Sequence, residues 1–193
     1  MVMILAEITN PTELQFQLTN VRFDEWISDG FFHIRWVAMV SLFAFSAWLW
    51  WKMVNKERLA EVALNAAVTA VMILILDELG EEMTLWDYPI DVIPLFPPIS
   101  AINLASLPFL YSLIYQFFGK WKSFLIAQAV MALFSCFVFE PLFVWLRMYQ
   151  MLSWKSWYGL PLYFAIGIIA KAVLSAVKRR ARKVPAAPFH EYH

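Results

Sequence analysis

"LAEVALNAAVTAVMILILDEL", residues 59–79, carries one acid near its start and no further charge until Asp77. At about 1.5 Å per helical residue such a run covers about 30 Å, the thickness of a bilayer's hydrocarbon core. It passes directly into "GEEMTLWDYPIDVIP" (80–94), so Asp77, Glu78, Glu81 and Glu82 gather where the apolar run ends. The rest of the chain is of the same kind. Hydrophobic residues make up 62% of it and aromatic ones 18%, with a mean hydropathy of +0.61, whereas soluble domains carry roughly 45–50% apolar residues. Five glycines and no alternation of polar and apolar positions argue against a β-barrel. The predicted class is all-α, a helical multipass membrane protein.

Four further windows are long and apolar enough to cross: 31–54, 95–118, 121–146 and 157–177. Residues 31–177 are therefore expected to form a five-helix transmembrane domain. It lies between an interfacial N-terminal segment, 1–30, and a basic tail, 178–193. The 15 basic and 15 acidic residues cancel, but their placement does not. Lys52, Lys56, Arg58, Lys120, Lys122 and the basic residues of the tail fall on one side; Arg22, Arg147 and Lys155 fall on the other. The positive-inside rule then puts the C-terminus in the cytoplasm and, with five spans, the N-terminus outside the cell membrane. Trp48, Trp50, Trp51 and Trp121 are expected at the inner interface. Trp86, Tyr88, Trp145, Tyr149, Trp154 and Trp157 are expected at the outer one.

Nothing at Met1–Ala6 resembles a signal peptide, which needs a basic n-region and a longer apolar core. Within 1–30, Asn10-Pro11 with Glu13 is a helix start. On a helical wheel Leu14, Leu18 and Val21 oppose Phe16, Phe23 and Ile27, so short helical pieces broken near Asp29-Gly30 are expected on the outer face. The tail reads as a solvated or lipid-headgroup-contacting end, with residues 184–193 disordered.

Depth counting brings the polar residues to one layer. Asp77 and Glu78 fall near the outer edge of the second span. His33 and Arg35 open the first span, Asn103 lies in the outer half of the third below Pro94, Pro97 and Pro98, and Glu140 is near the outer end of the fourth. Pro141 after it frees a carbonyl one turn earlier. The acids of 77–82 form like-charge i,i+4 pairs at a helix C-terminus, against two local preferences. Ionisable residues within a membrane are functional-site candidates. Asp77 and Glu140 are the expected acids of one site, with His33, Arg35, Glu78, Trp86, Asn103 and Trp145 as binding residues and Arg35 paired with Asp77, Glu78 or Glu140. The bland alternatives are a solvated acidic loop or a structural ion-pair cluster. Lys171 is expected to snorkel; Asn65 and Gln128 are expected to bridge helices.

Other chemistries lack their residues. His33, His190 and His193 make no zinc set, and no glycine-rich phosphate loop or nucleophile elbow occurs. Cys136 stands alone, without a histidine near it in sequence. No metal, cofactor or nucleic-acid partner is expected.

Three stretches, "LWDYPIDVIP" (85–94), "LPFLYSLIYQ" (107–116) and "FEPLFVWLRMYQMLSWKSWYGL" (139–160), resemble a family of small multipass membrane proteins of Gram-positive spore-forming bacteria. The likeness covers residues 60–175. It implies the same topology and brings Glu140 forward, but it implies no reaction. A fainter echo is that of small membrane lycopene cyclases, related to integral-membrane terpene cyclases. Asp77 followed by Trp86 has their Asp-to-Trp spacing, but Leu107-Pro108-Phe109 lacks the acids of their next helix, so Glu140 would have to serve. The reading preferred from the residues is a non-enzymatic membrane component, with membrane lipid around it and a protein partner at the outer acidic loop. The alternatives are a lipid- or isoprenoid-handling enzyme using a protonated carboxylic acid, with Trp86 and Trp145 as pocket walls, and a cation or proton pathway.

Overall fold

A computed structural model of the chain describes residues 10–89, 92 and 106–181. The described chain is mostly helical. Helix α1 (Pro11–Glu25) runs into a π turn (Trp26–Gly30), followed by α2 (Ile34–Met53), α3 (Leu59–Glu82) and α4 (Leu107–Phe117). Then come α5 (Trp121–Phe134), a second π turn (Ser135–Phe139) and α6 (Glu140–Trp145), which make one rod. Helix α7 (Gly159–Ala181) follows, and two short strands, β1 (Trp86–Asp87) and β2 (Gln150–Met151), pair antiparallel.

Four helical stretches are long and apolar enough to cross a membrane: Ile34–Met53, Lys56–Glu82, Trp121–Trp145 and Ser156–Ala181. They coincide, within a few residues, with four of the five expected windows, and the protein is a membrane protein. Of the expected third span, 95–118, α4 accounts for the described part. Pro94, Pro97, Pro98 and Asn103 lie outside the described residues, as does the tail beyond 181.

The bundle turns its polar side chains on the spanning helices inward, among a mainly apolar core, and leaves an apolar outer surface. On α3, Asn65, Thr69, Asp77 and Gly80 are buried along one face with Val62, Ala66 and Ile73. Leu64, Val71, Ile75 and Leu79 form the opposite, exposed stripe. Lipid is as apolar as leucine, so packing and hydrogen bonding between helices, rather than burial of leucine, hold a bundle together. Helix α3 packs on α4 and α7, α5 packs on α7, and α2 packs on α4. At mid-depth the Tyr163 carbonyl of α7 accepts from Tyr111 Oη of α4 at 2.7 Å and from Gln128 Nε2 of α5 at 3.0 Å. Gln128 lies flat on Gly167, where a Cβ would come within 2.3 Å of its amide. So Gln128 bridges helices, as expected.

Lys171 does not snorkel. It is buried, and its Nζ donates to the Phe118 and Gly119 carbonyls at 2.8 and 3.0 Å, 4.0 Å above the Phe124 ring. The carbonyls left open past the end of α4 sit closer than the headgroups, and they capture the ammonium. Near the same end, Glu61 accepts from Arg58 at 2.9 Å, from Lys178 at 2.8 Å and from the Tyr115 hydroxyl.

In the N-terminal segment one helix forms where several short pieces were expected, and the helical run ends at Gly30, at the expected break. Asn10 Oδ1 caps α1 by accepting from Thr12 N at 3.0 Å, and no proline or glycine interrupts the chain before Gly30, so one helix forms. It buries no residue.

Gly167→Ala is expected to lower the melting temperature of the detergent-solubilised protein, at a cost of about 1–3 kcal/mol for overpacking. Gly119→Ala, where a Cβ meets nothing within 4 Å, should leave the melt unchanged. Equal melts for the two variants would show that the Gln128–Gly167 contact is not a packing constraint.

Candidate functional site

Helices α3 and α6 end in the same way. Thr84 and Arg147 take left-handed backbone angles (φ 53 and 56). After α3, Leu85 N bonds Gly80 O at 2.9 Å and Thr84 N bonds Glu81 O at 2.8 Å. After α6, Met148 N bonds Phe143 O at 2.9 Å and Arg147 N bonds Val144 O at 3.0 Å. These are Schellman caps built without glycine. They deliver the two chains into β1 and β2, where Trp86 faces Met151 and Asp87 faces Gln150. The Leu85 carbonyl then accepts from the amides of Leu152, Ser153 and Trp154 at 3.0–3.1 Å. The latch fixes Trp86 edge-on to Trp154, centroids 4.9 Å apart.

Under this latch lies a cavity of about 90 Å³. Asp77 of α3 and Glu140 of α6 both line it, with Trp86, Tyr88, Tyr149 and Tyr163 among its aromatic walls. Asp77 is 8% exposed and Glu140 7%. Each carboxyl takes one tyrosine hydroxyl: Tyr88 Oη donates to Asp77 Oδ1 at 2.7 Å, and Tyr163 Oη donates to Glu140 Oε1 at 2.9 Å. The other oxygen of Glu140, Oε2, is buried and accepts no hydrogen bond among the described residues. The Ser156 hydroxyl stands at this carboxyl as a further hydrogen-bonding side chain, and it also contacts Met151 Sδ at 3.5 Å. The Tyr149 phenol is pushed above its ordinary range, first by burial and then by the charges of Glu140 and Asp77, so it stays a neutral hydroxyl.

The inward aim of Glu140 follows from the π turn before it. Pro141 has no N–H to give, and Glu140 N reaches back five residues to Ser135 O. The extra residue turns Glu140 toward α7. There Gly159 leaves the room: a Cβ at 159 would stand 3.1 Å from Glu140 Oε1. π turns recur at functional sites for this reason.

Of the expected binding residues that are described, only Trp86 joins the two acids at the cavity. Arg35 does not pair with Asp77, Glu78 or Glu140. Its Nη1 donates to the Arg147 carbonyl at 3.5 Å, and the ion pairs formed among the described residues are both on Glu61. Equal depth does not fix which way a side chain points, and Arg35 faces the α6 cap. His33 is exposed ahead of α2. Glu78, half-buried, does not line the cavity. Trp145 is 77% exposed and walls nothing; Tyr149 and Trp154, expected in the outer belt, line the cavity in its place. Asn103 lies outside the described residues. Two residues had no signal in the sequence: Gly159, and Gly80, where a Cβ would meet Trp86 Cζ2 at 1.9 Å. Among the described residues no three His, Cys, Asp or Glu side chains converge as a metal site would need. Comparison with known protein families, curated proteins and solved structures finds no match.

Gly80→Ala should drive the Trp86 ring from its slot, destabilising the protein by about 1–3 kcal/mol. Trp86→Phe in the same chain should recover part of the loss, because the smaller ring leaves space for the methyl. Thermal melts of the single and double variants test this, and a double variant no more stable than Gly80→Ala would rule out the clash.

Proposed function

We propose that the chain is a five-span protein of the cell membrane, N-terminus outside and C-terminus cytoplasmic, whose outer cavity binds a cationic group. The topology is supported by the basic residues flanking the inner ends of the helices. Lys52 and Lys56 lie over the Trp48 and Trp51 rings at 4.3 and 3.5 Å, as interfacial cation–aromatic pairs do. In a Cys136→Ala background, Glu82→Cys is expected to react with an impermeant maleimide on intact cells. Arg180→Cys is expected to react only after permeabilisation. The reverse pattern would overturn the orientation.

One observation carries the functional reading: Glu140, more than nine-tenths buried and without a basic partner among the described residues, lines a cavity walled by aromatic rings. A buried carboxylate is costly unless paired. Aromatic faces beside it favour an organic cation, which they attract through the ring quadrupole. At about 90 Å³ the space is far below the roughly 300–1,000 Å³ of ordinary ligand sites, so it suits a small ammonium group. The isoprenoid-cyclase reading has less support, since Leu107-Pro108-Phe109 lacks the acids that those enzymes carry on their next helix. A binding component, rather than an enzyme, is the function proposed.

The test is titration of the purified protein with ethylammonium, followed by calorimetry. Binding is expected to weaken at least tenfold in Glu140→Gln, which keeps the shape and removes the charge, and also in Asp77→Asn. Asp87→Asn, on the exposed face of β1, should bind as the wild type does. Wild-type protein that ignores ethylammonium, or a Glu140→Gln variant that binds it equally, would overturn the reading.

A further inference from the structure

The small acidic cavity has a larger neighbour. A second cavity, of about 290 Å³, lies between α2, α4 and the α5–α6 rod. Four side chains line both cavities: Leu107, Glu140, Phe143 and Tyr163. Among the described residues Glu140 is the only carboxyl or basic side chain on the wall of the second. The rest of that wall presents carbon, because its polar groups are satisfied among themselves. Ser46 and Ser106 hydroxyls bond at 2.9 Å, Trp50 Nε1 donates to Ser112 Oγ at 2.8 Å, and Ser135 Oγ donates to Met131 Sδ at 3.3 Å. Leu42 and Trp50 mark its extent along α2, a span of about 12 Å at 1.5 Å per residue. Helix α2 buries only Met39 of its length, so the cavity lies behind a helix loosely applied to the bundle and within reach of lipid.

We propose that the ligand is a single-chain alkylammonium amphiphile, its head at Asp77 and Glu140 and its chain in the apolar cavity behind α2. The proposal rests on the cation-binding reading above and adds the substrate class to it. Charge selects this occupant over a phospholipid. A phosphate in the headgroup would stand beside two carboxyls with no basic side chain lining either cavity, and like charges in a low-dielectric site repel strongly. A neutral alkyl chain would fill the second cavity but leave Glu140 Oε2 as it is. A molecule with a cation at one end and an alkyl chain at the other answers both features.

The experiment compares methyl-, butyl- and octylammonium binding to the protein in nanodiscs, with protein-free nanodiscs subtracted for partition into lipid. Wild-type affinity is expected to rise from methyl- to octylammonium by tenfold or more. Leu42→Trp, which fills the apolar cavity from the loosely packed helix, should lose at least tenfold for octylammonium while holding methylammonium within twofold. Affinity independent of chain length, or a Leu42→Trp variant that loses both ligands equally, would overturn the amphiphile proposal while the cation site stands. Failure of every ammonium to bind, in wild type and Glu140→Gln alike, would instead remove the cation reading on which it rests.

Discussion

A polar group on a spanning helix must find its partner inside the protein, because lipid supplies none. This constraint orders the whole bundle. Helix α3 turns Asn65, Thr69 and Asp77 inward and leaves Leu64, Val71, Ile75 and Leu79 to lipid. Tyr111 and Gln128 meet on a single carbonyl, that of Tyr163, and so tie α4 and α5 to α7. Neutral hydrogen bonds of this kind contribute about 1 kcal/mol each, but each one also fixes a helix's rotation. Rotation is what brings Asp77 and Glu140 to one wall, since their depth alone would allow them to point anywhere.

The outer end is closed by backbone. Two Schellman caps, around Thr84 and Arg147, redirect the chain without glycine, and a non-glycine residue in that region costs about 1–2 kcal/mol. The strain is offset by the three amides that converge on the Leu85 carbonyl and by the β1–β2 pair. In return Trp86 and Trp154 are held edge to face over the acids. The glycines complete the arrangement by what they omit. Gly80 makes room for Trp86, Gly159 for Glu140 and Gly167 for Gln128.

The sequence is legible wherever a property depends on one dimension. Apolar runs near 20 residues mark spans, so four windows appear as helices nearly residue for residue. Depth is also one-dimensional, and counting it from each interface put Asp77 and Glu140 in one layer. What depends on azimuth was not legible. Arg35 shares the layer but faces the Arg147 carbonyl; Trp145 shares it but faces outward, because the α6 cap comes two residues later and sends Tyr149 inward instead. Lys171 has the long stem of a snorkelling lysine, and only the position of the α4 carbonyls shows that it need not reach the headgroups. The glycine slots carry no signal of their own, since each exists only relative to a ring or amide from another element.

Three acids in this bundle each accept a tyrosine hydroxyl, and the difference between them is instructive. Glu61 takes Tyr115 but also Arg58 and Lys178, so its charge is balanced by its own chain near the N-terminal end of α3. Glu140 takes Tyr163 and no cation from the described residues. The fold can therefore bring basic side chains to a half-buried carboxylate, and does so where a structural ion pair is enough. At Glu140 it brings aromatic rings, a π turn that aims the carboxyl, and a glycine that keeps the space open. At Glu140 the balancing charge does not come from the described residues, and that difference from Glu61 is what the cation-binding proposal takes up.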